Sequence, residues 1–85
     1  MFTLFIGLGR HAETAIKAAM ARYKETKGDV PIEVLAGVCL KAVKEWDPEV
    51  RGRKVLTPSV RASLSRGLAA LAYNIAAADA GREPL

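Results

Sequence analysis

The sequence predicts an all-α fold, a compact three-helix domain, on three observations. Alanine, the strongest helix former, fills fifteen of the 85 positions. Three stretches repeat their apolar residues at steps of three and four, the spacing that stacks side chains on one helical face. Between the stretches lie turn signals, a glycine after the first and a Thr-Pro pair before the last. Eighty-five residues make one helical domain, residues 1–85, with no length for a second.

The first helix is expected from about Arg10 to Lys27. Ala12, Ala15, Ile16, Ala19, Met20 and Tyr23 form its apolar face, and Glu13 and Lys17 stand four apart in the order that favours an ion pair. Gly28 ends it, because glycine adopts the left-handed conformation after a last turn at little cost. Asp29 caps or precedes the second helix, with Pro31 in the first turn, where a missing N–H matters least. Ile32, Leu35, Ala36, Cys39, Ala42, Val43 and Trp46 form its main face, and Asp47-Pro48 stops it. Residues Asp47 to Leu56 read as a charged, irregular connection. Thr57-Pro58 then opens a third helix running to about Asp79, with Gly81 beyond its end.

This last helix is apolar on two sides. Val60, Leu64, Leu68, Leu71, Ile75 and Ala78 make one stripe, and Ala62, Ala69, Ala70, Tyr73, Ala76 and Ala77 the other. A helix apolar nearly all round is normally covered on both sides. The apolar segment of residues 1–9 has two readings. It either extends the first helix or forms a short strand, for which Lys54-Val55-Leu56 is the one intrachain partner. Projected back along the helix, Phe2, Phe5 and Gly9 share the face of Ala12, Ile16 and Tyr23, which favours a helix from Thr3. Gly7 and Gly9 weigh against it by about 2 kcal/mol together.

Composition excludes several classes of chemistry. One cysteine, Cys39, forbids an intrachain disulfide, and with His11 as the single histidine the chain has no soft-ligand set for a metal. The opening apolar run is too short for a bilayer and has no basic residues before it, so a cytoplasmic, non-membrane protein is expected. Ser59, Ser63 and Ser65 cluster on one helix with no base and orienting acid at triad spacing to His11. No enzymatic activity, cofactor or small-molecule substrate is expected.

One motif invites a different reading. Gly7-Leu8-Gly9-Arg10-His11-Ala12 after an apolar run resembles the G-x-G-x-x-G/A fingerprint of Rossmann dinucleotide-binding folds, which implies a phosphate turn and an acid about 20 residues on, near Asp29. The context departs from that fold. Asp29 precedes a helical pattern rather than ending a second strand, and no further parallel strands follow.

Two interaction surfaces remain. Surplus apolar residues predict self-association, a homodimer being the commonest closed form; the candidates are Phe2, Phe5 and Ile6 with Ala62, Ala69 and Ala76, whose small side chains let a second helix approach. Val34, Val38 and Leu40 add apolar surface off the main face of the second helix. The leading expectation is therefore a non-enzymatic helical protein–protein interaction protein that occupies a partner's surface. The alternative starts from a net charge of +4. Arg51, Arg53 and Lys54, followed by Arg61 and Arg66, suit the phosphates of DNA or RNA. With no glutamine and Asn74 the single asparagine, base-specific readout is expected to be poor.

Overall fold

The computed structural model describes residues 2–46 and 49–85, and of residues 2–8, 49 and 50 the backbone alone. Helix α1 spans Phe2–Glu25, α2 spans Ile32–Lys44 and α3 spans Pro58–Asp79. Between α2 and α3 lies an antiparallel hairpin, β1 (Glu49–Val50) and β2 (Arg53–Lys54), paired Glu49 to Lys54 and Val50 to Arg53. Each helix packs on both others. The all-α expectation holds, with one small ribbon added.

The turn chemistry acts where it was expected. Gly28 takes φ +83°, and its N–H reaches back to the Tyr23 carbonyl at 2.9 Å, closing the end of α1. Thr57 caps α3, its Oγ1 accepting from the Val60 N–H at 3.2 Å, with Pro58 in the first turn. Gly81, at φ +71°, follows the end of α3.

Two open alternatives are resolved and two local expectations are corrected. Of the two readings of the N-terminal segment the helical one holds for residues 2–9, so α1 starts at Phe2 and no strand forms there. Asp29 precedes α2 without capping it; Pro31, expected in the first turn, holds the N-cap position in extended geometry with no side-chain cap. Residues 49–54, read as irregular, form the hairpin, so the strand partner of Lys54 is Glu49. The expected stop at Asp47-Pro48 lies outside the described residues.

A division of labour between large and small residues organises the core. Helix α2 contributes bulk, with Leu35, Cys39 and Val43 fully buried. Helix α1 contributes Ala15 and Ala19, and α3 contributes Ser65, Ala69, Ala72, Ala76 and Ala77. Small residues on α1 and α3 join the α2 side chains in one core. Leu56 closes the base of this core, and Tyr23 meets Tyr73 edge-on at 5.1 Å between ring centres.

Of the two apolar sides expected on α3, the small one is buried through Ala69, Ala76 and Ala77, and the leucine–isoleucine stripe is covered only in its first half. Leu68 is buried and Val60 and Leu64 pack against the core, whereas Leu71 and Ile75 are 48% and 37% exposed. Ser65 is accommodated on the small side because its hydroxyl donates to the Arg61 carbonyl at 2.7 Å, which satisfies a buried polar group locally.

Candidate functional site

The two faces expected to carry self-association and phosphate contact have different fates. Ala69 and Ala76, two of the three alanines expected to meet a second copy, are 0% and 2% exposed within the single chain. They hold α3 against its own partners and cannot form an outer seam. Ala62 is exposed near the start of α3. The side chains of Phe2, Phe5 and Ile6 lie outside the described residues.

A groove between α1 and α2 encloses a cavity of about 390 Å³. Thr14, Ala18 and Arg22 line one wall at four-residue spacing, and Val38, Lys41, Ala42 and Glu45 line the other. The spacing is a direct product of helical periodicity, which sets every fourth side chain on nearly the same bearing. Thr14 turns its hydroxyl back to the Arg10 carbonyl at 3.0 Å, leaving its methyl group toward neighbours. Val34, 40% exposed, continues the α2 wall toward the turn. Ala18, Val38 and Ala42 make the groove floor apolar.

The rim charges are unevenly placed along this groove. Chain direction puts Arg22 near the α1–α2 turn, while Glu45 caps the opposite end of α2. Arg22 makes one long contact, to Glu25 at 3.8 Å with both side chains largely in solvent. Pairs of that kind contribute little. The off-face valines were legible in the sequence; the α1 wall was not, because Thr14 and Ala18 carry no distinctive signal alone.

The basic candidates are split. Arg51, Arg53 and Lys54 stand exposed on the hairpin. Arg61 and Arg66 are five residues apart on α3, about 140° around the helix, and so point to different sides. Arg61 is partly buried with Nε inside, whereas Arg66 is exposed. The hairpin turn itself is unusual. Arg51 and Gly52 are its two central residues, with φ of +53° and +77°. Such turns favour Asn-Gly or Asp-Gly, and a residue with a long side chain in left-handed geometry costs roughly 1–2 kcal/mol.

A second, smaller cavity of about 260 Å³ lies between the ends of α1 and α3, lined by Tyr23, Lys24, Lys27, Ala76, Asp79, Ala80 and Arg82. Arg82 spans it, donating from Nη1 to the Lys27 carbonyl at 2.6 Å.

The chemical candidates are dispersed. Gly7 and Gly9 lie within the continuous α1 helix, so they form no phosphate turn. His11 is half-buried on α1, and Ser65 is directed into its own helix. Cys39 is fully buried with its thiol 3.7 Å from the Ala15 carbonyl, and burial pushes its pKa up to about 11. Among the described residues, no three of His, Cys, Asp and Glu gather to hold a metal ion. No described helix is long and apolar enough to cross a membrane. Comparison with protein-family models, curated proteins and solved structures finds no match to the chain.

Proposed function

We propose that the protein is a non-enzymatic helical interaction protein that self-associates through the α1–α2 groove. The observation that carries this reading is the groove's combination of an apolar floor (Ala18, Val38, Ala42) with Arg22 toward one end and Glu45 toward the other, Lys41 lying one turn before Glu45. A two-fold axis through the groove centre sets the turn end of one copy on the far end of the other. Arg22 then faces the partner subunit's Glu45, and the same pair recurs on the other side of the axis. Such self-complementarity is what a closed two-fold interface requires. Four helices, two from each copy, would share one apolar layer, a common arrangement for antiparallel helices.

Physical terms favour this layout. Burying valine and alanine surface supplies the non-directional drive, at about 25 cal/mol per Å². The terminal charges supply register, since a shifted pairing sets like charges together and is disfavoured. A partner protein with an apolar helix of matching charge order would use the same groove.

Light scattering tests the proposal directly. The expected mass is twice the 9.1 kDa of one chain. Ala18→Glu should give a monomer with unchanged helical circular dichroism, because Ala18 is exposed in the single chain. Arg22→Glu and Glu45→Arg should each weaken the dimer, and the double reversal should restore it. A monomeric wild type at high micromolar concentration, or a double reversal no better than the singles, sinks the reading.

A further inference from the structure

We propose that the β1–β2 hairpin tip contacts the phosphate backbone of a nucleic acid, with Arg51 and Arg53 as the phosphate-binding side chains. This surface lies outside the α1–α2 groove and is independent of self-association through it. Three observations converge on it.

The first is the charge pattern. From Arg51 to Ala78 the chain carries five cations and no acid over 28 residues, although it holds nine acids in all. Glu49 stands opposite Lys54 at the base of the hairpin, so the acid-free stretch begins at its tip. The second is placement. Leu56, 4% exposed and part of the core, fixes the hairpin two residues beyond Lys54. Arg51 and Arg53 thus project from an anchored ribbon rather than from a loose loop. The third is the turn. Its geometry calls for asparagine, aspartate or glycine at the first central position, and the chain places arginine there at φ +53°. An unfavourable backbone state at a projecting position points to use of the side chain. Arginine offers a planar fork of donors that matches phosphate oxygens in pairs.

A phosphate backbone is the ligand that fits these features. It is a regular line of anions that exposed guanidinium groups on a narrow ribbon reach without needing to read bases. The lack of glutamine and the single Asn74 agree with contact to backbone rather than to base edges.

The deciding variant is Arg51→Asn. Asparagine suits the left-handed turn better, so the fold should become more stable, with a melting temperature raised by a few degrees. Arg51→Lys keeps the charge and serves as the control. Fluorescence anisotropy is measured at low salt on a labelled random-sequence duplex DNA and on the matching duplex RNA, with polyglutamate as a non-phosphate polyanion. The wild type should bind at least one nucleic acid, with affinity falling linearly in log salt. Arg51→Asn should bind at least about threefold more weakly, with a salt slope shallower by about 1. Arg51→Lys, which keeps the charge and loses the paired donors, should keep the wild-type salt slope and bind between wild type and Arg51→Asn. Tighter binding to DNA or to RNA identifies the physiological polymer. The proposal fails if the wild type binds neither, if Arg51→Asn binds as tightly as wild type, or if polyglutamate competes as effectively as nucleic acid.

Discussion

Arg82 reaches across 55 residues of sequence to donate to the Lys27 carbonyl at 2.6 Å, and it can do so only because Gly28 has no side chain. A Cβ at position 28 would fall on the Arg82 guanidinium and lie 2.9 Å from the Tyr23 hydroxyl. One glycine therefore ends α1, seats the C-terminal segment and covers Tyr23.

Gly28→Ala should destabilise the protein through two separable causes. The positive φ costs roughly 1–2 kcal/mol for any residue with a Cβ, and displacement of Arg82 adds to it. In an Arg82→Ala background the second cause disappears. Urea unfolding of the four proteins in this cycle should show a smaller cost of Gly28→Ala when Arg82 is already gone. Equal costs in both backgrounds would mean that Arg82 is easily moved.

Tyr23→Phe should stabilise. Among the described residues the Tyr23 hydroxyl is buried and meets no hydrogen-bond partner. An unsatisfied buried group of this type costs about 1–3 kcal/mol, and phenylalanine retains the edge-on contact with Tyr73. A rise in melting temperature checks this; a fall would reveal that the hydroxyl finds a partner in solution, such as an ordered water.

Thr57→Ala should cost about 1 kcal/mol, the usual loss for an N-cap hydroxyl. The Oγ1 to Val60 N–H bond of 3.2 Å is the contact removed. Thr57→Ser should recover most of it in the same denaturation assay.

Cys39 should be silent toward thiol reagents in the folded protein and react fully once unfolded. Its raised pKa also has a sign for stability. Burial favours the protonated thiol in the native state, so between pH 9 and pH 11 the unfolded chain binds fewer protons than the native one. Stability should fall as pH rises through that window. Cys39→Ala should lower stability at neutral pH, because it leaves a small cavity, yet show a flatter profile above pH 9.

Local signals were the readable ones. Thr57-Pro58, Gly28, the Glu13–Lys17 pair (2.9 Å) and the buried faces of α1 and α2 all follow from spacing or single-residue chemistry. The two apolar sides of α3 were legible as well, but not that Leu71 and Ile75 stay exposed, since they outrank Ala72 and Ala76 on hydrophobicity alone. What decides is the neighbour: Leu35, Cys39 and Val43 already fill the space, so α3 must turn its small side inward. The hairpin was hidden because Arg51-Gly52 lacks the residue that usually announces such a turn. The α1 wall of the groove was hidden for the reason that it is made of absence of bulk, which only a second helix turns into a shape.

The alanines buried on α1 and α3 have a thermodynamic consequence. Alanine has no side-chain rotamers to lose, so ordering Ala15, Ala19, Ala69, Ala72 and Ala76 carries only the backbone share of the entropy cost. Each also removes little apolar area from water. Unfolding should therefore release an unusually small heat-capacity increment, at the low end of the roughly 12–15 cal/mol/K per residue typical of globular domains. A shallow curve of stability against temperature follows, so the fold should change little in stability between cold and physiological conditions.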